Sequence, residues 1–152
     1  MHGKTLITAA LVLGLAAVTL ALQPQAKSGR TDREKTAEAI RLNNLGVAYM
    51  NQRRTEAALK NFEQACALDP TLLAAHLNRG IALLNLQRPE PARHALVEAT
   101  EQQPNSPRAW FNLGLLYSMI DEIEPALAAF DRVAQLDPND ADVHYFLGAL
   151  HQ

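Results

Sequence analysis

Five histidines and one cysteine are the side chains of this 152-residue chain best suited to hold a metal or act as nucleophiles. They are His2, His76, His94, His144, His151 and Cys66. His144 and His151 stand seven residues apart, two helical turns, too far to share a metal ion without a third ligand. His76 and His144 share a 34-residue register with Trp110, so each ring takes a place where another ring packs. Cys66 has no second cysteine to pair with, and its position on the packing side of a helix predicts a buried, inert thiol. Glu56, Glu90 and Glu124 repeat at the same spacing and could serve acid–base chemistry. Each, however, falls in the first turn of a helix, where a carboxylate meets the positive end of the dipole. No glycine-rich phosphate loop and no serine elbow appears in the sequence. These residues predict no enzyme, no cofactor and no metal. One further set keeps the spacing: Asn44, Asn78 and Asn112. An amide offers two donors and an acceptor, which suits the backbone of an extended peptide.

The elements that must position these groups are helix hairpins. Trp110, Leu113, Gly114 and Tyr117 fall at i, i+3, i+4 and i+7, one stripe of a helix. After a break near Asp121-Glu122, Ala126, Phe130 and Val133 make a second stripe. Two such helices joined by a few residues bury their stripes against each other. The pattern recurs upstream. Glycine repeats at 46, 80, 114 and 148, alanine at 58, 92 and 126, and proline at 70, 104 and 138, always 34 residues apart. A glycine inside a helix costs about 1 kcal/mol against alanine. Its recurrence therefore predicts close helix-on-helix contact at all four positions.

This register resembles the tetratricopeptide repeat family, whose pattern is Trp-x2-Leu-Gly-x2-Tyr followed by Ala, Phe, Ala and Pro. Leu42, Leu45, Gly46, Tyr49, Ala58, Phe62, Ala65 and Pro70 fit the first repeat. His76, Arg79, Gly80, Leu83, Ala92, Leu96, Ala99 and Pro104 fit the second, with two polar departures. Trp110 to Pro138 fit the third, and His144, Leu147, Gly148 and His151 open a fourth. The resemblance implies an all-α, right-handed α-solenoid of antiparallel hairpins, with repeats at 39–72, 73–106 and 107–140 and a partial one at 141–152. Helices are expected near 32–51, 55–68, 72–86, 89–102, 107–119, 123–136 and 140–151.

In that family the first helices of successive repeats line a concave groove where ligands bind. The resemblance thus implies a partner groove at Asn43, Asn44, Val47, Asn78, Ile81, Arg108, Asn112 and Leu115, with a protein or extended peptide as partner. Met50, Leu77, Leu84, Phe111 and Ser118 are expected beside them. Some members hold a partner's C-terminal carboxylate between lysines, asparagines and a further basic residue. Here Asn43 replaces the first lysine, Val47 the first asparagine and Asn112 the last basic residue. Only Asn78 and Arg108 keep the character of that clamp, so a cytosolic co-chaperone role is not expected.

The chain begins differently. Lys4 precedes an uncharged run from Leu6 to Leu22, which reads as an export signal or membrane anchor over 1–22. Residues 23–31 form a polar linker, and Thr31 and Glu34 have the spacing of a capping box. The expected location is outside the cytoplasm, periplasmic or extracellular, with membrane contact only through the N-terminal segment. Net charge is −2, with no basic face, so no nucleic-acid partner is expected. Acids gather at Asp121, Glu122, Glu124, Asp131, Asp137, Asp140 and Asp142, a solvated face or an acidic docking surface. The last helix carries Leu147 and Leu150 with no helix after them: the half-repeat caps the third repeat, another chain covers it, as in self-association, or, the favoured reading, the sequence is the front of a longer protein with more repeats or a different domain behind. Two functions stand: a non-catalytic binding scaffold, exported or tethered, or the N-terminal recruitment segment of a longer exported enzyme or envelope assembly protein.

Overall fold

Seven helices and no strand make up residues 30–150, the part of the chain that the computed structural model describes. They are α1 (Asp32–Asn51), α2 (Thr55–Leu68), α3 (Leu73–Asn85), α4 (Pro89–Gln102), α5 (Pro107–Met119), α6 (Ile123–Leu136) and α7 (Ala141–Leu150). No end departs from the sequence-based range by more than one residue. The expected export segment at 1–22, most of the linker, and His2 and His151 lie outside the described residues.

Local chemistry sets the helix starts. Thr31 caps α1: its Oγ1 accepts from the Glu34 amide at 3.3 Å, and the Glu34 carboxylate accepts from the Thr31 amide at 2.8 Å. Ser106 caps α5 through the Ala109 amide at 3.3 Å, and Pro107 follows at the first helical position, where no N–H is needed. Pro89 opens α4 in the same way.

One turn joins the two helices of each hairpin, and the three turns are copies of one another. The amides of Arg54, Arg88 and Glu122 donate back to the carbonyls of Tyr49, Leu83 and Tyr117, five residues earlier, at 2.9, 3.1 and 2.9 Å. Those of Arg53, Gln87 and Asp121 donate to Met50, Leu84 and Ser118. This is a Schellman ending, and it holds Arg53, Gln87 and Asp121 at φ of 58°, 55° and 63°. Glycine normally fills such a left-handed position; here an arginine, a glutamine and an aspartate do, so the sequence carries no sign of it.

The turns between repeats are pinned by rings. His76 Nε2, Trp110 Nε1 and His144 Nε2 each lie 2.9 Å from the carbonyl oxygen of Pro70, Pro104 and Pro138. A carbonyl only accepts, so both histidines carry the proton on Nε2. The rings do replace one another, through this hydrogen bond as well as by shape. Asp69 tightens the first of these turns by accepting from the Thr71 amide and hydroxyl at 2.9 and 2.6 Å.

Packing builds two layers. Each helix lies against its successor, while α1 also meets α3 and α3 meets α5, so the odd helices form the closer, inner layer. Phe62, Leu96 and Phe130 are fully buried where α2, α4 and α6 cross α1, α3 and α5. They fill the space above the repeated glycines. A methyl on Gly46 would collide with the Phe62 ring; one on Gly80 would stand 2.8 Å from Leu96 Cδ2, and one on Gly114 2.8 Å from Phe130 Cε1. The fourth glycine corrects the expectation of contact at every site: Gly148 has nothing within 4 Å, because no described helix crosses α7 there. α7 buries Val143 and stacks Phe146 on Phe130 at 5.1 Å between centroids, and Tyr145 stays 73% exposed.

Gly114→Leu should lose about 1–3 kcal/mol in urea melts through overpacking. Gly148→Leu should lose nothing and gain a few tenths of a kcal/mol or more from helix propensity. Gln87→Gly should stabilise by about 0.5–1 kcal/mol, since the left-handed position then carries no side chain. Equal losses at the two glycines, or a destabilised Gln87→Gly, would overturn this account of the hairpin.

Candidate ligand groove

The inner layer places Asn43, Asn44 and Val47 on α1, Asn78 and Ile81 on α3, and Arg108, Asn112 and Leu115 on α5. They do not form one uniform surface. Asn44, Val47 and Arg108 are exposed, while Ile81, Asn112 and Leu115 are half-buried. Asn43 and Asn78 are buried, at 8% and 6% exposure. Two buried amides need partners, and they find them in a chain that crosses three repeats. Arg108 donates from Nη2 to Asn78 Oδ1 at 3.0 Å. Asn78 donates from Nδ2 to Asn43 Oδ1 at 2.8 Å, and Asn43 in turn faces Asn44 Oδ1 at 3.4 Å.

The expected ladder of equal rungs is therefore uneven. Asn44 is solvated, Asn78 is a structural link, and Asn112 donates to the Arg108 carbonyl of its own helix at 2.8 Å. Leu77 and Leu84, expected beside the groove, are buried in the core instead. Val47, Asn78, Ile81 and Arg108 come together around a depression of ≈ 230 Å³ that Met50, Asn51 and Phe62 complete. Asn51 and Phe62 were not legible as groove residues. Asn51 lies one turn beyond Val47, which could have flagged it, but Phe62 reads only as core. Asn112 and Leu115 lie outside this depression.

Outside the groove, Cys66, Glu98 and Glu122 are engaged by their neighbours, while the buried His76 Nδ1 has no hydrogen-bond partner. Cys66 is buried, and that burial pushes its thiol up from the ordinary range; Arg79 pulls it back, and Glu98 and Glu63 add to the rise. A protonated, enclosed thiol is a poor nucleophile. The buried His76 ring has its Nδ1 3.6 Å from Glu98 Oε1, and Arg79 holds the other oxygen of that carboxylate at 3.2 Å. These are the two polar departures of the second repeat, and they meet on one glutamate. Glu122 of the acidic face is bound by Arg93 at 2.6 and 3.1 Å. Among the described residues no group of three histidine, cysteine or acidic side chains is placed to hold a metal ion, and no helix is long and apolar enough to cross a membrane.

Helix hairpins in a 34-residue register, stacked so that every first helix faces an inner groove, define a tetratricopeptide repeat solenoid. Models of the tetratricopeptide repeat match residues 39–72 and 77–141, and the chain belongs to that family. Solved structures agree on the fold. The first such domain of Spaghetti (RPAP3), bound to the HSP90 peptide SRMEEVD, has a TM-score of 0.75 at 21% identity, over 77% of this chain and 93% of that one. The second domain of human RPAP3, in complex with the HSP70 peptide SGPTIEEVD, has a TM-score of 0.71 at 17% identity, over 80% and 99%. MamA from Desulfovibrio magneticus RS-1 has a TM-score of 0.71 at 25% identity, over 78% and 67%. No curated protein matches.

The three asparagines should respond unequally to alanine. Asn78→Ala strands Asn43 Oδ1 and frees Arg108, and should cost about 1–3 kcal/mol. Asn44→Ala should cost under about 0.5 kcal/mol. Chemical denaturation of the two variants measures this, and a negligible loss at Asn78 would mean that the amide chain does not hold the repeats together.

Proposed function

We propose that this protein is a non-catalytic scaffold, exported or held at a membrane by its N-terminal segment, that takes an extended peptide or protein segment in its inner groove. The observation that carries this reading is the depression between α1, α3 and α5. It sets a 38%-exposed Val47 and the half-buried Ile81 beside a guanidinium that has no carboxylate partner among the described residues. Apolar side chains left open to water next to fixed polar groups are the usual make-up of a recognition surface. Related folds in complex with peptides support the same reading. The committed states of Cys66 and Glu122 support a binding role over a catalytic one. Export is supported by the uncharged run from Leu6 to Leu22 after Lys4.

Selection of peptides displayed on phage against the purified repeat domain should yield binders that Val47→Glu abolishes. The domain's melting temperature should stay within a few degrees, because Val47 is solvated. Binders indifferent to Val47→Glu would sink the groove assignment. A reporter enzyme that works only outside the cytoplasm, fused at Gln152, should be active, and cytoplasmic activity of a complementary reporter would remove the export half of the proposal.

A further inference from the structure

Of the four repeated glycines, only Gly148 is left without a reason by the fold. A glycine inside a helix weakens it. At Gly46, Gly80 and Gly114 that loss is offset by Phe62, Leu96 and Phe130, which fill the space above them. Above Gly148 nothing lies within 4 Å. α7 therefore carries a socket in the same register as the other three, and open. The filled sockets state what fits. In each hairpin the filling helix runs antiparallel to its partner and brings a large side chain four residues after one fully buried small residue and three before another. These sets are Ala58, Phe62 and Ala65; Ala92, Leu96 and Ala99; and Ala126, Phe130 and Val133.

Charge narrows the occupant further. A helix antiparallel to α7 ends beside Asp137, Asp140 and Asp142, at the start of α7. None of the three has a cation partner among the described residues. The side chains of Asp137 and Asp140 accept from the amides of Asn139 and Val143, and the nearby Arg132 bonds instead to Gln135, Pro104 and Asn105. The last turn of any helix is itself negative, so this corner suits a helix that ends in basic residues. The chain's own second helices are not of that kind. α2 sets Glu56 and Glu63 against Lys60, α4 sets Glu90, Glu98 and Glu101 against Arg93, and α6 sets Glu124 and Asp131 against Arg132, with no basic residue in the last turn of any. A second copy fits no better. α7 on α7 brings the same acids together. On α1, the position equivalent to the buried Ala75, Ala109 and Val143 is an exposed Arg41 bound to Glu38.

We infer that the open face of α7 docks an amphipathic helix of a separate protein, with an Ala-x3-Phe or Ala-x3-Leu core and lysine or arginine in its last turn, whose large side chain enters the space above Gly148. The site is separate from the inner groove and stands without it.

The probe is a stapled, helical peptide with the α2 sequence, residues 55–68, carrying Glu63→Lys, Cys66→Ala and Ala67→Lys. Its acidic control carries Cys66→Ala alone. In an NMR titration of the labelled protein the Gly148 amide should shift, and that of Gly46, already covered by Phe62, should not. The basic probe should bind about tenfold more tightly than the control, the size of one charge-assisted pair. Gly148→Leu should abolish binding with the melting temperature undiminished, since nothing in the fold touches that position. Asp137→Asn together with Asp142→Asn should bring the two peptides to equal affinity, and Phe62→Ala within the probe should remove binding. Val47→Glu, in the groove, should change nothing. Binding indifferent to Gly148→Leu overturns the inference, as does a control that binds as well as the basic probe. A protein that light scattering finds dimeric, and that Gly148→Leu makes monomeric, gives the socket to a second copy and overturns it too. Should a longer chain with residues after Gln152 refuse the probe, those residues fill the socket and the inference falls.

Discussion

Everything in this solenoid depends on how closely two helices of a hairpin can approach at one glycine. Phe62, Leu96 and Phe130 are fully buried because Gly46, Gly80 and Gly114 have no side chain in the way. The backbone entropy lost at each glycine is offset by burial of a large apolar side chain, about 1.5–3 kcal/mol apiece. Closing that gap brings the small residues Ala58, Ala92 and Ala126 to zero exposure as well. With the hairpins closed, each inner helix can meet the next inner helix, and the groove exists only because they do.

The turns translate this contact into a repeating array. The left-handed residues Arg53, Gln87 and Asp121 reverse the chain within a hairpin, and a ring N–H from His76, Trp110 or His144 ties each new repeat to the proline carbonyl before it. Charged pairs then link repeats along the surface: Arg88 reaches Glu56, and Arg93 reaches Glu122. Such exposed pairs add little stability, of order 0–1 kcal/mol each. They help to set register between repeats whose energy lies in the apolar interfaces.

In the proposed ligand groove, the atoms that stabilise the fold are those that recognition would use. Asn78 is buried between the inner helices, and the same bond that satisfies it holds Arg108 in place. A long side chain held in one conformation loses less entropy on binding than a free one. The polar edge is thus preorganised by groups that the fold already needs.

Composition and spacing were enough to determine seven helices, their limits to within a residue, and their pairing into hairpins. Periodic apolar stripes and repeated glycines leave a chain no other way to bury its surface. The inner face of each first helix was legible too, through the family resemblance. Tertiary structure decided the rest. Gly148 has the same sequence signature as Gly46 but makes no contact, since contact depends on a second helix being present. The left-handed turn residues stayed hidden because Arg53, Gln87 and Asp121 are not glycine. Asn44, Asn78 and Asn112 share a register, yet only Asn78 is buried, bonded on one side to Asn43 of α1 and on the other to Arg108 of α5. A local pattern states what a helix face contains; which of its amides loses water, and which group each amide bonds, follows from the helices packed beside it.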